Sequence, residues 1–338
     1  MKNLENYVDT LIADKAVQNI FIRVGRGDEI IRDVCRSSSA SINADTLFDV
    51  ASLTKIVATL PLFLIAIDKG LVGLDEKVSK FFSLKGEKEE LTLRHLITHT
   101  MGIGHKSLRL PEVTYENVGD HILSIPCDIP IGSDVLYSCP AYILTGKILE
   151  KIFGEPLDVL FNRLIKVPLS MTSAGFHPQS VINAVNSNPN VSELGVVNDY
   201  NCRHLGGVAG NAGLFASVND LTAYVRCIIN GGSPLISREM LDLATTNQTP
   251  TAHESRGLGF VYVDEKYSQT GDLFPHGSIG HCGHTGQSLF INRKSGVYVI
   301  ILSDATLSNV KKYGHENYSE VIKMRRNIHN AIKRDLKA

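Results

Sequence analysis

Apolar and polar positions follow patterns that predict a helix and two strands at the start of the chain. Apolar residues recur at helical spacing over residues 2–15, which predicts an amphipathic first helix. Residues 19–24 and 29–35 read as two short strands, and the glycine-containing segment between them indicates a β-hairpin. The chain is therefore expected to begin with a helix and two paired strands.

The next apolar segment is the longest in the chain. A short run at residues 47–51 meets a helix-like run at 56–67, and Lys69 and Gly70 follow as a cation and a helix-ending glycine. We expect one buried helix that begins near Ser52 and ends near Lys69. The apolar run is too short to span a bilayer, so we expect no membrane segment.

The middle of the chain is mostly helical, and strands return near its C-terminal end. Helical periodicity dominates from residue 72 to about 223, whereas the glycine-rich stretch 198–211 is expected to be irregular. The simplest architecture is one α/β domain formed by residues 1–71 and 250–338, with a mainly helical domain, residues 72–249, inserted into it. The remaining predicted elements are helices at 91–100, 142–153, 220–229 and 318–336 and strands at 260–263, 288–292 and 297–302.

Composition argues against several classes of partner. The 338 residues are 43% hydrophobic and 20% charged, with a net charge of -1, which is ordinary for a globular protein. This balance favours neither a nucleic acid nor an anionic membrane as partner. Acidic residues lie where a signal peptide needs its apolar core, so we expect a cytoplasmic protein with reduced thiols. The six cysteines include no Cys-x-x-Cys pair: Cys35, Cys127, Cys139, Cys202, Cys227 and Cys282.

The first candidate chemistry is Ser52-Leu53-Thr54-Lys55, at the start of the long apolar helix. Residues three apart lie on one helix face, so the Lys55 amine is within reach of the Ser52 hydroxyl. Apolar neighbours are expected to lower the pKa of Lys55 and make it a base beside a nucleophile. The alternative is that Ser52 is an ordinary helix cap. A second Ser-x-x-Lys, Ser308 to Lys311, lies in a polar stretch that we expect to be a solvated loop.

Two further motifs follow Ser52-Leu53-Thr54-Lys55 later in the chain. Tyr137-Ser138-Cys139 precedes a helix, and His281-Cys282-Gly283 lies in a glycine-flanked segment that we expect to form an edge strand. With Ser52 and Lys55, they resemble the three motifs of the serine β-lactamase and penicillin-binding-protein superfamily, in its class C and esterase-like branch. The resemblance implies a β-lactamase/transpeptidase-like fold, in which an antiparallel sheet is flanked by helices from both chain termini. It extends over residues 18–303 and includes the stretches 93–100 and 205–215.

The resemblance also implies roles for single residues in the cleft between the two domains. Ser52 would be the nucleophile, and Lys55 and Tyr137 would move its proton. A protonated His281, together with Lys55, is expected to lower the pKa of Tyr137. The backbone N–H groups of Ser52 and His284 would bind the oxyanion, and Gly283 would allow the substrate to approach closely. His95 and His99 are expected to be structural, and Asn198, Asp199, Asn201 and Asn211 either bound the cleft or form turns.

Two cysteines depart from the family pattern. Cys139 replaces the usual Asn of the second motif, and Cys282 replaces the Thr of the third, so weak or no β-lactamase activity is expected. Cysteine cannot replace an amide as both strong donor and strong acceptor. Three interpretations stay open for the two thiols: inert small side chains, a reversible disulfide, or metal ligands together with His281 and His284. The first is preferred, and no metal or cofactor is predicted.

The favoured function is that of a serine hydrolase. It would cleave an ester or amide of a small molecule or peptide through an acyl-Ser52 intermediate. One alternative is an acyltransferase that uses the same acyl-enzyme, and the other is a degenerate binding or sensor protein. The loops at residues 104–120 and 180–194 are expected to shape the pocket, and the oligomeric state is left open.

Overall fold

The computed structural model describes residues 1–39, 41–178, 185–186, 193–267 and 269–337. The strands are β1 (Asn19–Arg26), β2 (Glu29–Ser37), β3 (Phe48–Asp49), β4 (Gly175–Phe176), β5 (Leu214–Ala216), β6 (Val261–Tyr262), β7 (Ile279–Cys282), β8 (Ser288–Ile291) and β9 (Val297–Ser303). The helices are α1 (Lys2–Ala13), α2 (Leu60–Asp68), α3 (Leu93–Ile97), α4 (Val118–Ser124), α5 (Cys139–Phe153), α6 (Leu157–Phe161), α7 (Tyr200–His204), α8 (Val218–Ile229), α9 (Arg238–Ala244), α10 (Ala305–Tyr313) and α11 (Tyr318–Lys337).

The main sheet combines strands from both ends of the chain. Among the described residues it has six strands in the order β2-β1-β9-β8-β7-β6, and every neighbouring pair is antiparallel. The central pair joins β1 to β9, with Ile20 opposite Ser303. The expected mixed α/β fold with an antiparallel sheet is therefore confirmed.

Alternate residues of the central strands serve two different cores. Ile20 and Ile22 of β1 belong to an apolar cluster that includes residues of α1 and α11. Phe21, between them, belongs to a larger cluster formed with α2, α5, α8 and other helices of the middle of the chain. Because successive side chains of a strand point to opposite faces, the sheet is covered by helices on both sides.

The segment expected to be mainly helical also supplies strands. β5 pairs with β3 on one side and with β4 on the other in a small antiparallel sheet, which connects residues 48–49 to the middle of the chain. These strands are only two or three residues long, too short for any periodicity to reveal them. The domain boundaries near residues 72 and 249 stay a prediction.

The long apolar helix begins irregularly. A 3₁₀ turn at Ala51–Leu53 and a π turn at Lys55–Thr59 lead into α2. By length and hydropathy the 18 residues Ala51–Asp68 could cross a membrane, contrary to the expectation from the shorter apolar run. However, 83% of the segment is buried inside the protein, so it is a core helix of the fold.

One local expectation was wrong, and a second holds only in part. Ser308 lies in helix α10 and is buried, with its hydroxyl bonded to Asp304, because Asp304 begins a helix that packs against the sheet. The second Ser-x-x-Lys is therefore not in a solvated loop, and its Lys311 bonds Gln18 instead. Strand β7 is not an edge strand along its whole length, because β6 pairs with Ile279 and Gly280; among the described strands, His281 and Cys282 pair only with β8.

Candidate active site

Ser52 follows a tightly held turn at the end of β3. The carboxylate of Asp49 accepts hydrogen bonds from the backbone N–H groups of Ala51, at 2.8 Å, and Asn198, at 2.6 Å. Ala51 has a φ of +49°, a left-handed conformation that costs about 1–2 kcal/mol for a residue with a Cβ. Burial raises the pKa of Asp49 to about 6. The residue before the candidate nucleophile is thus strained, and Asp49 holds it in place.

The structure brings Ser52, Lys55 and Tyr137 into direct contact. Both Lys55 Nζ and Tyr137 Oη donate hydrogen bonds to Ser52 Oγ, each at 2.9 Å. Tyr137 lies just before helix α5, where the Ser138 hydroxyl caps the helix by accepting from the N–H of Ala141. His99 supports this position: its Nδ1 accepts the N–H of Ser138 at 3.0 Å.

Lys55 is fully buried and surrounded by acceptors. Besides Ser52 Oγ, its ammonium group donates to the carbonyl oxygen of Asn211 at 2.9 Å and contacts Cys139 Sγ at 3.6 Å. The glycine-rich stretch makes the Asn211 contact possible, because a Cβ on Gly210 would lie 2.0 Å from the carbonyl oxygen of Tyr142. The three N–H bonds of a protonated amine therefore each have a partner.

The acid–base balance differs from the expected one. Burial lowers the pKa of Lys55, but the neighbouring acidic groups of Cys139 and Tyr137 outweigh it, so the pKa is raised. For Tyr137, burial raises the pKa, and the positive charge of Lys55 only partly offsets this rise. The expectation of lowered pKa values for both groups was wrong, because helix periodicity could not show which groups approach Lys55 from α5.

Cys139 is the third titratable group whose charge interacts with those of Lys55 and Tyr137. Burial raises the pKa of its thiol, but the cations Lys55 and His105 outweigh that effect, and the pKa is lowered. The thiol and the ammonium group thus favour each other's charged forms. At this position cysteine is an acid beside the lysine, whereas the family's usual Asn is neutral.

His281 is not a cation. It is only 3% exposed, and its Nδ1 lies 2.7 Å from the carbonyl oxygen of Cys282, which requires a proton on Nδ1. Burial, followed by the positive charges of Arg256 and Lys55, holds the pKa of His281 well below its ordinary value. The expectation of a protonated His281 was therefore wrong. The permanent positive charge near Tyr137 is that of Arg256, which lies 5.8 Å from the centre of the Tyr137 ring.

Gly283 and His284 lie beside the turn that carries Ser52. A Cβ on Gly283 would lie 2.8 Å from the carbonyl oxygen of Val50 and 3.2 Å from Ala51 Cβ, so only glycine fits there. Among the described residues, no partner is recorded for the backbone N–H of Ser52 or of His284. Both groups are free to donate to a ligand.

Cys139 and Cys282 line the same cavity but have different neighbours. Cys282 Sγ lies 3.4 Å from Tyr267 Oη, whereas Cys139 lies against Lys55. Both are free thiols in this structure. Within the described ranges, no cluster of three His, Cys, Asp or Glu side chains is arranged to hold a metal ion.

The cavity has a volume of about 610 Å³ and opens onto Ser52. His105, Ser107 and Arg109 of the expected loop line it, whereas most of the 180–194 loop lies outside the described residues. Asn198, Asp199 and Asn201 also line the cavity, as one of the two interpretations expected. Asp199 in addition caps helix α7, so it both bounds the cleft and shapes the local backbone. Cavity-lining residues that the sequence analysis missed include Glu254, Arg256, Tyr267, Glu316 and Tyr318.

Comparison with known proteins places the chain in a family. The sequence model described as Beta-lactamase matches residues 4–318. Esterase EstB of Burkholderia gladioli is 25% identical in an alignment 317 residues long that covers 80% of this chain and 80% of the esterase. A protein of Escherichia coli O157:H7, provisionally named a D-alanyl-D-alanine carboxypeptidase, is 28% identical in an alignment 308 residues long that covers 78% of this chain and 70% of that protein.

Solved structures show the same fold at low sequence identity. A class C β-lactamase from Rhodobacter sphaeroides superposes with a TM-score of 0.78 at 17% identity, covering 99% of this chain and 100% of that one. EstCE1, a hydrolase with promiscuous acyltransferase activity, gives a TM-score of 0.79 at 18% identity, covering 98% and 97%. The chain belongs to the β-lactamase family, as its three motifs indicated.

Proposed function

We propose that the protein is a serine hydrolase that cleaves an ester or amide of a small molecule or peptide. The observation that carries this proposal is the contact of Ser52 Oγ with both Lys55 Nζ and Tyr137 Oη, each at 2.9 Å, at the wall of a cavity of about 610 Å³. A hydroxyl held by two groups that can exchange protons is the arrangement of an activated nucleophile. The named relatives include an esterase, which supports the same class of reaction.

The proposed reaction proceeds through an acyl-enzyme. Ser52 Oγ attacks the carbonyl carbon while its proton passes to the Lys55–Tyr137 pair, and the backbone N–H groups of Ser52 and His284 stabilise the oxyanion. The tetrahedral intermediate then releases the alcohol or amine, which takes a proton from Tyr137. Water then attacks the acyl carbon while one of its protons passes to the Lys55–Tyr137 pair. The bond from the acyl carbon to Ser52 Oγ breaks, Ser52 Oγ takes a proton back from the pair, and the carboxylic acid is released.

The raised pKa values of Lys55 and Tyr137 add a condition. Near neutral pH both groups hold their protons, so the coupled set of Lys55, Tyr137 and Cys139 must lose one proton before it accepts that of Ser52. The reaction is therefore expected to accelerate as the pH rises above neutral. Cys139 and neutral His281, in place of the family's usual Asn and Lys, argue for an esterase or amidase rather than a β-lactamase.

Intact mass measurement after incubation with a fluorophosphonate tests the proposal. We expect one covalent adduct on the wild-type protein and none on Ser52→Ala, together with turnover of short acyl esters only by the former. A Ser52→Ala variant with full turnover would contradict the proposal. Absence of both adduct and turnover in the wild type would favour a binding protein.

Acyl transfer is the second candidate. It shares the acyl-enzyme and differs only in the acceptor, and the cavity extends from Ser52 to Arg109, Tyr200 and Tyr318, which leaves room for a second molecule. Product analysis with added amines and alcohols distinguishes transfer from hydrolysis. A cytoplasmic location stays a prediction.

A further inference from the structure

Arg325 is a fully buried cation beneath the segment that carries the candidate oxyanion donor. It lies in α11, with 0% of its surface exposed, among the apolar residues that α11 packs against the sheet. One terminal nitrogen donates to the carbonyl oxygen of Gly283. The other donates to Gln269 Oε1 at 2.9 Å and to Tyr318 Oη at 3.3 Å.

The charge of Arg325 lacks the counter-ion that a buried guanidinium usually has. Among the described residues, the acidic groups that interact with it are Cys282, Tyr318 and Tyr267, and none of these is a carboxylate. Burying a charge without an ionised partner is costly, and arginine does not escape the cost by losing its proton. Among the described residues, the guanidinium group of Arg325 therefore has no carboxylate as counter-ion, and one of its nitrogens donates to the Gly283 carbonyl oxygen.

The Gly283 carbonyl and the His284 N–H belong to one planar peptide group. A cationic donor on the carbonyl oxygen draws electron density from the nitrogen and makes the N–H a stronger donor. Other bonds fix the same segment: Gly283 N–H donates to the carbonyl oxygen of Gln287 at 2.8 Å, and His284 carbonyl oxygen accepts from Thr306 Oγ1 at 2.6 Å. In this described segment, the His284 N–H is thus left without a protein partner.

We propose that Arg325 is a positioning residue of the oxyanion site, which holds and polarises the Gly283–His284 peptide so that the His284 N–H stabilises the negative oxygen formed when Ser52 attacks. This inference rests on the proposed serine hydrolase function. It assigns to Arg325 a part in the reaction, although Arg325 itself does not line the cavity. The stabilisation grows as the oxyanion forms, so it acts on the transition state rather than on substrate binding.

The test compares Arg325→Met and Arg325→Lys with the wild-type protein. The readouts are kcat and KM for a short acyl ester and the affinity for phenylboronic acid, which forms an anionic tetrahedral adduct with an active serine. Loss of one direct oxyanion donor costs about 10²–10³-fold in kcat, so loss of a group acting through that donor is expected to cost about 10- to 100-fold. We expect this loss in both kcat and boronate affinity for Arg325→Met, with little change in KM, and a smaller loss for Arg325→Lys.

Arg23→Met is the matched control. Arg23, in strand β1, is also a buried arginine, 3% exposed, but it is paired with Asp33 on β2 and does not line the cavity. We expect this variant to lose stability and keep kcat. Equal loss of kcat and boronate affinity in Arg23→Met and Arg325→Met would overturn the proposal, because it would indicate a merely structural effect.

The remaining outcomes separate the two proposals. A wild-type protein that forms no Ser52 adduct overturns the hydrolase function and this inference together. If the wild type forms the adduct and a folded Arg325→Met keeps its kcat and boronate affinity, only the role of Arg325 is wrong. If Arg325→Met does not fold, Arg325→Lys decides: unchanged kcat and boronate affinity overturn the role, and a selective loss supports it.

Discussion

The imidazole ring of His99 packs against the phenol ring of Tyr137, with the ring centroids 4.7 Å apart and the ring planes tilted by 34°. His99 also fixes the next residue, because its Nδ1 accepts the N–H of Ser138 at 3.0 Å. Its own backbone has a φ of +61°, in the left-handed region. His99 therefore holds the start of α5, and with it the phenol that bonds Ser52.

Replacing His99 should misplace Tyr137. His99→Asn is the cleanest change, since asparagine tolerates a left-handed backbone. We expect kcat/KM for a short ester to fall roughly 10- to 100-fold, the range expected for small displacements of a reacting group. His95→Asn is the control, because His95 bonds Thr92 within its own helix; equal losses in the two variants would contradict a specific effect on Tyr137.

Removal of either proton-transfer group should nearly abolish turnover. We expect Lys55→Met and Tyr137→Phe each to lower kcat/KM by about 10²–10⁴-fold, as for other general acid–base residues. Tyr142→Phe provides a matched control: Tyr142 also stacks on His99, but its hydroxyl donates to the Ile97 carbonyl rather than to Ser52. If Tyr137→Phe cost no more than Tyr142→Phe, Tyr137 would have no role in proton transfer.

Cys139 should set the pH at which the site becomes active. Its acidic thiol helps to raise the pKa of Lys55, so Cys139→Asn should lower that pKa and move the rising limb of the kcat/KM profile to lower pH. Profiles measured from pH 6 to 10 for the two proteins test this. Cys282→Ser should leave the midpoint unchanged, because Cys282 lies beside Tyr267 instead. Coinciding wild-type and Cys139→Asn profiles would disprove the coupling.

Asp49 should make the protein less stable as the pH rises. Its pKa is about 6 in the folded state, above the ordinary value of 3.8, so the folded state binds more protons between these values. The stabilisation is complete below pH 3.8 and is lost as the pH rises through 6, on the order of 3 kcal/mol in total. Thermal unfolding from pH 4 to 7 should therefore show a decline in Tm that is smaller in Asp49→Asn. Parallel curves for the two proteins would rule out this contribution.

The sequence was sufficient to predict which parts of the chain meet at the site. Helix spacing predicted the contact of Ser52 with Lys55, and the resemblance of the three motifs to those of the family implied that Tyr137 would join them; the oxygen and nitrogen atoms of these side chains are in hydrogen-bonding contact. The hydrophobic pattern likewise predicted the strands at both ends. Short elements such as β4 and β5 could not be predicted, because two or three residues carry no period.

The charge states could not be predicted from the same patterns. The pKa of Lys55 depends on Cys139, which arrives from another helix, and that of His281 depends on burial and on Arg256. Arg256 lies in Ser255-Arg256-Gly257-Leu258, where no motif indicated a functional residue. Long-range electrostatics follow from the assembled fold, so local spacing gave the correct contacts and the wrong protonation states.

The pairing of β1 with β9 has a consequence for how the protein is made. While a ribosome synthesises the chain, β1 can pair with β2 at once. Its other neighbour, β9, is formed by residues 297–303 and emerges much later. Until then one apolar edge of the hairpin has no partner strand, and such unpaired edges favour aggregation of nascent chains. The six-stranded sheet can therefore close only after most of the chain has been translated, and the nascent hairpin needs protection until then.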